Sequence, residues 1–153
     1  MDLIIGKNNS ILRKKLNPVK DFDRQLKNIV TEMKKKLTAA VGVGLAANQV
    51  GINLALFIAK PKDKFYVFVN PKIELTKKPI LTEEGCLSLP GQWGYIKRST
   101  EVKINYQDLT GKQRKLKTTG LLAHIIQHEF DHLQGILFID KTKEVFEINK
   151  TNE

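Results

Sequence analysis

The sequence predicts an α+β fold in which mixed, mostly antiparallel short strands surround a central metal-binding helix, with another helix near the N-terminus. Two segments carry apolar residues at helical spacing, the stretch between them alternates short apolar runs with turn residues, and 153 residues suit one domain. We therefore expect a single domain over residues 1–153, with an irregular N-terminal segment over about 1–18 and a short C-terminal tail over about 141–153.

The first helix is predicted after Asn17-Pro18, where Asp21 is a candidate N-cap because its carboxylate can accept hydrogen bonds from free amides of the first turn. Its apolar residues form one core-facing stripe and are Phe22, Leu26, Ile29, Val30, Met33 and Leu37. Gly42-Val43-Gly44 interrupts this pattern.

The middle of the chain is predicted to form short strands, since apolar runs there are bounded by proline, glycine and asparagine. The predicted strands cover residues 54–59, 65–69, 73–75, the surroundings of Leu81, 102–106 and 114–118. Asn70-Pro71 is expected to close the second strand, and Asp108-Leu109-Thr110-Gly111 is a turn composition typical of a hairpin between the last two.

The pattern changes to helical spacing from Gly120 onward. The apolar positions of this second helix are Leu121, Leu122, Ile125, Ile126, Phe130 and Leu133. Gly135 suits the position just after the last turn, and residues 136–139 are expected to follow as a buried segment.

Two histidines on this second helix predict a metal site. His128 and His132 are four residues apart, which separates them by about 40° around a helix axis, so both imidazoles can face one ion. Glu129 can reach a water bound to that ion and act as general base. The alternative is a helix with two incidental histidines, but an unpaired buried histidine or carboxylate would be costly in this otherwise apolar helix.

A catalytic metal site usually takes three protein ligands, so a third ligand is expected elsewhere. Cys86 is the preferred candidate, because it lies between Gly85 and the Pro90-Gly91 turn, where its sulfur can face a site. Glu144 and Glu147 in the charged tail are the alternatives. Cys86 could instead be a small buried apolar residue or half of a nucleophilic Cys–His pair, although a metal-bound thiolate is no longer a free nucleophile.

The segment at 42–49, Gly-Val-Gly-Leu-Ala-Ala-Asn-Gln, is rich in small residues that let a substrate approach the backbone. A nucleotide site is disfavoured, because the lysine and hydroxyl of a P-loop are missing and Ala47 replaces the third glycine of a dinucleotide fingerprint. Gln49 is then an amide donor suited to stabilising negative charge on an attacked carbonyl.

The net charge of +10, from 26 basic and 16 acidic residues, favours association with polyanions such as nucleic acid or the ribosome. The basic residues are spread over 13–36, 60–78 and 97–117, so no sequence-specific nucleic-acid binding is predicted. No apolar run approaches the roughly 18 residues of a membrane span, and no secretory signal or transit peptide is recognisable. The lone Cys86 agrees with a cytoplasmic location.

Three segments taken in order resemble the signature motifs of the peptide deformylase family. They are Gly-Val-Gly-Leu-Ala-Ala-Asn-Gln at 42–49, Glu-Gly-Cys-Leu-Ser at 84–88 and Gln-His-Glu-Phe-Asp-His at 127–132. The resemblance extends from the first helix to about Lys141. It implies metal-dependent hydrolysis of the N-formyl group of N-formylmethionyl peptides, the newly made polypeptides of bacterial-type translation, with release of formate.

The resemblance also implies a role for each matching position. The implied metal ligands are Cys86, His128 and His132. Glu129 would be the acid and base, while Gln49 and the backbone amide of Leu87 would stabilise the oxyanion. Specificity for a formyl group would follow from a site too narrow for bulkier carbonyls.

Further positions are expected around these groups. Val43 and Gly44 would pair with the peptide backbone in the manner of an added strand, and Glu84 would pair with Arg98 to brace the cysteine loop.

Two positions depart from the family pattern. Trp93 stands where relatives vary, so it is a candidate contact for the substrate side chain. His124, one turn before His128, is expected in the pocket wall, with a fourth imidazole ligand as the alternative.

The family usually uses Fe²⁺, and one thiolate with two imidazoles is also compatible with Zn²⁺, Ni²⁺ or Co²⁺. The short tail lacks the long C-terminal helix with which some bacterial members dock on the ribosome, so ribosome contact would need the basic surface instead. A monomer is the default expectation.

Two other functions fit part of the pattern. A zinc metallopeptidase would cleave ordinary, unformylated peptides, and a binding protein with a structural metal would show no turnover. The presence of Glu129 as a candidate base disfavours the binding protein. A purely structural site would also usually close its fourth position with another protein ligand.

Overall fold

The computed structural model describes residues 1–148, so residues 149–153 of the predicted tail lie outside the described residues. Within residues 1–148 there are two α-helices and eight strands. In chain order they are α1 Arg24–Ala39, β1 Gly44–Ala46, β2 Leu56–Ala59, β3 Tyr66–Leu75, β4 Pro79–Cys86, β5 Leu89–Ser99, β6 Glu101–Gln107, β7 Gln113–Thr119, α2 Gly120–Leu133 and β8 Val145–Glu147. Short 3-10 turns cover Ser10–Arg13, Ala47–Val50 and Phe138–Asp140.

The strands form two sheets, and every pairing between the described strands is antiparallel. The larger sheet has the order β1-β2-β3-β6-β7, and the smaller has the order β4-β5-β8. The predicted α+β class is therefore confirmed. The strands β1 and β4 lie at edges of their sheets, which leaves one side of each without a strand partner in this part of the chain.

Helix α2 packs against strands of both sheets, with β1, β2, β6 and β7 on one side and β5 on the other. Its apolar residues Leu122, Ile125 and Ile126 are buried in one core cluster with Phe57 and Phe68 of the larger sheet. Burial of that many large apolar side chains is the main force that fixes α2 between the sheets. Within residues 1–148, no helix is long and apolar enough to cross a membrane.

Helix α1 begins two residues later than predicted. Asp23, rather than Asp21, is the N-cap, and its carboxylate accepts a hydrogen bond from the Leu26 amide at 3.0 Å. Of the predicted stripe, Leu26, Val30, Met33 and Leu37 are buried, whereas Ile29 is partly buried and Phe22 lies before the helix.

The observed strands differ from those predicted at several points, and strand β1 at Gly44–Ala46 was not predicted. Strand β3 continues through Asn70-Pro71 by a bulge between Val69 and Lys72, where proline needs no ladder partner for its missing amide. Strand β5 was not predicted, because Pro90, Gly91 and Gly94 interrupt its apolar pattern. Strand β8 lies in the segment predicted as a tail and pairs with β5.

Gly135 lies two residues after the last residue of α2 and has a positive φ of 77°, which confirms its predicted position after the helix. The N-terminal segment crosses this point closely, since a Cβ on Gly135 would lie 2.5 Å from the carbonyl oxygen of Arg13. The amide of Leu16 also donates to the carbonyl of Leu133 at 2.9 Å. Residue 135 therefore has to be glycine for two reasons, conformation and space.

Gly135→Ala should lower the free energy of unfolding by about 2–4 kcal/mol, because left-handed strain and overpacking against Arg13 add together. Gly91→Ala is the matched control, since Gly91 has a φ of 79° and nothing within 4 Å of its Cβ position. That control should lose only about 1 kcal/mol. Urea unfolding of both variants measures the difference, and equal losses would contradict the close approach at Gly135.

Candidate metal centre

The structure brings Cys86, His128 and His132 together at one point. Their potential ligand atoms all lie within 4.8 Å of one another, and Cys86 Sγ is 3.4 Å from His132 Nε2. The helix α2 places the two imidazoles one turn apart with ring centroids separated by 5.0 Å. Cys86 ends β4 beyond a register shift after Gly85, which turns its side chain toward the helix.

This donor set fits a tetrahedrally bound ion. Bond lengths of about 2.3 Å to sulfur and about 2.1 Å to nitrogen put two tetrahedral ligand atoms about 3.6 Å apart, close to the 3.4 Å between Cys86 and His132. The Nδ1 atom of His128 is engaged by Glu84, so its Nε2 atom is the one free to bind a metal. One thiolate and two imidazoles leave a fourth position for water or substrate.

Glu84 organises the surroundings of His128. Its carboxylate accepts two hydrogen bonds from Arg98, both at 2.8 Å, one from Nε and one from Nη2. It also contacts Nε2 of His124 at 2.8 Å and Nδ1 of His128. Glu84 thus joins β4, β5 and two successive turns of α2.

Arg98 continues this network to Asp131, whose carboxylate accepts from Nη1 at 2.7 Å and from Lys141 Nζ at 3.0 Å. Arg98, Glu84 and Asp131 are all buried. Burial by itself would raise the pKa of Glu84, but the hydrogen bonds from Arg98 and the two histidines outweigh it and hold the pKa below its ordinary value. Glu84 is therefore ionised at neutral pH.

Glu129 has the opposite environment. It is 4% exposed, and its Oε1 atom has no hydrogen-bond partner among the described residues. Its Oε2 atom lies 3.9 Å from His128 Nε2. In the absence of a metal, burial raises the pKa of Glu129 to about 7, although the positive charges of His128 and Arg98 oppose this. A carboxyl group with such a pKa can both accept and return a proton near neutral pH.

The two histidines are also perturbed. Burial lowers the pKa of His132 well below its ordinary value, so its imidazole is neutral. Burial alone would lower the pKa of His128 as well, but the negative charge of Glu129 and the contacts with Cys86 and Glu84 hold that pKa above its ordinary value in the absence of a metal.

Gln49 lies in the 3-10 turn after β1, with its side chain aimed at the cysteine loop. Its Nε2 atom is 3.6 Å from Cys86 Sγ and donates to Ser88 Oγ at 3.2 Å. Its Oε1 atom accepts from the Ala46 amide at 2.9 Å, which fixes the amide orientation. Neighbouring Asn48 donates to the carbonyl of His132 at 2.8 Å and ties this turn to α2.

A pocket of about 430 Å³ opens over these groups, between the edge strands β1 and β4. Val43 and Gly44 line it at the start of β1, and Glu83, Gly85 and Leu87 line it from β4 and the residues just after β4. The pocket also reaches the candidate site residues Gln49, Glu84, Cys86, His124, His128 and Glu129.

Gly44 is required by the packing of this pocket. A Cβ on Gly44 would lie 2.6 Å from Glu129 Oε2 and 2.7 Å from Ile125 Cγ2. The backbone of β1 therefore passes directly over the catalytic carboxyl candidate, as only glycine allows.

His124 and Trp93, two candidate substrate-binding residues, both lie outside the set of three metal-ligand candidates. His124 lies in the pocket wall and bonds Glu84, and the ligand cluster found in residues 1–148 does not include it. Trp93 lies outside the pocket, stacked on Phe146 with ring centroids 4.8 Å apart and edge-on to Tyr95 at 5.6 Å. This side chain packs β8 against β5, and its contact with the substrate stays a prediction.

Sequence reasoning missed Asp131, Ser88 and Lys141. Asp131 lies inside the third motif, where its position beside His132 could have indicated it, whereas its partner Arg98 is 33 residues away. Ser88 closes the second motif and accepts the Gln49 amide. Nothing in the sequence pattern singles out Lys141.

Comparison with known proteins agrees with this geometry. The family model described as Polypeptide deformylase matches residues 1–147. A peptide deformylase of Chloroflexus aggregans is 40% identical over 92% of this chain and 84% of its own length. The chloroplastic peptide deformylase 1B of rice is 42% identical over 86% of this chain and 51% of its own length.

Solved structures give the same result. The peptide deformylase of Thermotoga maritima superposes with a TM-score of 0.89 at 36% identity, over 93% of this chain and 97% of that one. That of Synechococcus elongatus, determined in complex with actinonin, has a TM-score of 0.88 at 36% identity, over 98% of this chain and 80% of that one. With the matched motifs folded around one donor set, the chain belongs to the polypeptide deformylase family of metal-dependent hydrolases.

Proposed function

We propose that this pocket hydrolyses the N-formyl group of N-formylmethionyl peptides, with Glu129 as the group that carries the proton. The observation that supports this most is the buried carboxyl of Glu129, with an unpartnered Oε1 atom, beside a Cys–His–His donor set. A buried polar atom without a partner is costly, and such an atom at a pocket floor is explained by a ligand that pairs with it.

Two sheet edges support binding of an extended peptide. The free edges of β1 and β4 both border the pocket, so a substrate chain can add to either edge by backbone hydrogen bonds, and we assign this pairing to Gly44 and to Val43 just before β1. The carbonyl of Val43 already accepts the Lys60 amide at 2.7 Å, so the pairing would use other backbone groups. This mode holds a peptide by its main chain and leaves side-chain preference to the pocket walls, among which are Leu87 and Leu121.

The three ligands Cys86, His128 and His132 would hold the metal, and we propose Fe²⁺ as its identity, with Zn²⁺, Ni²⁺ or Co²⁺ as substitutes. When bound, the metal supplies Lewis acidity that makes water nucleophilic near neutral pH. Glu84 orients His128 through Nδ1, while Arg98 holds Glu84 in place. Such outer contacts fix the imidazole ring and its tautomer.

Proton movement is assigned to Glu129. Its Oε1 atom accepts a proton from the attacking water and passes it to the nitrogen of the formamide. The C–N bond then breaks, which releases the peptide amine and formate. The Gln49 amide and the backbone amide of Leu87 are assigned to the oxygen of the formyl carbonyl as negative charge develops on it. The nearness of Gln49 Nε2 to Cys86 supports this assignment.

The narrow floor of the pocket supports a preference for formyl groups. The backbone of Gly44 lies so close to Glu129 and Ile125 that a Cβ there would clash with both side chains, which closes one side of the carboxyl. A formyl carbon carries only hydrogen, so it can approach this floor, whereas the substituted carbonyl of an ordinary peptide bond is larger. Shape then discriminates between the two substrates.

The cellular setting is also a proposal. We expect the chain to act as a single catalytic domain over residues 1–153 and as a monomer in the cytoplasm, on peptides emerging from ribosomes. The net charge of +10 supports contact with ribosomal RNA through the basic surface.

Glu129→Gln should lower formate release from formyl-Met-Ala-Ser by about 10²–10⁴-fold or more while retaining the metal, because the amide cannot carry the proton. The matched control is Glu147→Gln on β8, an exposed carboxyl that should leave turnover unchanged. Formate and metal content are measured together. Undiminished formate release by the Glu129 variant, or cleavage of Met-Ala-Ser by the unaltered protein, would contradict the proposal.

Protein prepared in air should lose activity, because oxygen oxidises Fe²⁺, and reloading with Ni²⁺ or Co²⁺ under nitrogen should restore it. The measurements are formate release and bound metal per chain before and after exposure. Stable, full activity with Zn²⁺ alone would contradict iron as the working metal.

A further inference from the structure

Four lysines share the outer face of the larger sheet. The register pairs Lys103 of β6 with Lys117 of β7, and Asn105 of β6 with both Lys115 of β7 and Lys72 of β3. Cross-strand partners and residues two apart point to the same side of a sheet. The lysine face therefore consists of Lys72, Lys103, Lys115 and Lys117.

This face is turned away from the core and from the active site. Val102 and Ile104 alternate with Lys103 along β6, and both are buried in the cluster that includes α2. All four lysines are exposed. Any ligand of the lysine face would therefore leave the pocket between β1 and β4 open.

The positive charge on the face is only partly balanced. Glu101 lies 3.6 Å from Lys117 and is also bonded by Thr76 at 2.6 Å. Glu74 stands opposite Lys103 in the register, but within residues 1–148 neither Lys103 nor Lys115 forms an ion pair. Lys103 directly opposite Lys117 is a like-charge pair, which is destabilising for a sheet.

Lysines on an edge strand often only prevent edge-to-edge aggregation. That explanation covers Lys115 and Lys117, since β7 is an edge strand. It does not cover Lys103 or Lys72, because β6 and β3 have neighbours on both sides. The charges thus cover a broad flat area rather than one border.

We propose that the lysine face binds the phosphate backbone of double-stranded RNA. The charge complementarity and the flat array of amines fit a duplex, whose recognition depends on shape and phosphates. Single-stranded RNA would call for aromatic stacking, whereas Tyr106 points to the other side of β6. A lipid surface would call for apolar residues to insert, and the face carries lysine, glutamate and asparagine.

This inference names the surface and the kind of ligand for the proposed ribosome contact. It rests on the proposed function only in taking the ribosome as the cellular source of the RNA. Binding to an RNA duplex and turnover of a formyl peptide are separate measurements. Failure of one therefore does not affect the other.

The test compares two triple variants of the full chain with equal loss of charge. Lys103→Gln, Lys115→Gln and Lys117→Gln remove three of the four lysines of the lysine face, while Lys15→Gln, Lys20→Gln and Lys27→Gln remove exposed lysines elsewhere. Binding to a fluorescent 20-base-pair RNA duplex is measured by anisotropy between 50 and 200 mM KCl. Formate release from formyl-Met-Ala-Ser verifies that each variant is folded.

The lysine-face variant should bind at least ten-fold more weakly at 100 mM KCl, and the slope of log K against log[KCl] should become shallower by about 2–3. The control variant, which loses Lys15, Lys20 and Lys27, should change affinity by less than about three-fold. Arginine in place of Lys103, Lys115 and Lys117 should preserve binding. Equal losses in both triple variants, no duplex binding, or tighter binding to phosphatidylserine vesicles than to RNA would overturn the proposal. Aggregation of the lysine-face variant with unchanged RNA affinity of its soluble fraction would assign these lysines to edge protection instead.

Discussion

The buried carboxylate of Glu84 is the interaction on which the metal centre depends. An ionised carboxylate away from water has to be neutralised and hydrogen-bonded, or it is strongly destabilising. Glu84 meets this requirement with Arg98 from β5 and with His124 and His128 from α2. The smaller sheet and the metal-binding helix are thus joined by a contact that also fixes a ligand ring.

The same region contains a second carboxyl group with the opposite character. Glu84 receives four polar contacts and its pKa is lowered, whereas Glu129 has an unpartnered oxygen and its pKa is raised to about 7. Two carboxyl groups whose environments separate their pKa values in this way can have different roles. These environments support the proposed roles of Glu84 as an anion that orients His128 and of Glu129 as the group that exchanges a proton.

The sequence predicted the parts of this site that lie on one element. Helical spacing was sufficient for His128, Glu129 and His132, because their geometry is set by a single helix. Cys86 could be proposed from its chemistry and from the family motif but not from spacing along one element, since its position depends on the register of β4 and β5. The full set of contacts around Glu84 could not be predicted, because its partners are 14, 40 and 44 residues away.

The errors have equally local causes. Strand β5 was missed because Pro90, Gly91 and Gly94 break its apolar alternation, although Gly94 is needed where the carbonyl of Glu144 approaches. Because this strand was missed, the stacking of Trp93 on Phe146 of β8 was not foreseen either. A short strand such as β8 carries too few residues for its pairing to be recognised from sequence.

The affinity of Glu84→Gln for Co²⁺, measured by competition with a chelator, tests the central role of this carboxylate most directly. The glutamine keeps the size of the side chain but loses the charge that holds His128 by Nδ1. We expect Co²⁺ to bind about 10–100-fold more weakly than to the unaltered protein, with the fold intact by circular dichroism. Unchanged Co²⁺ affinity in a folded Glu84→Gln variant would contradict the account.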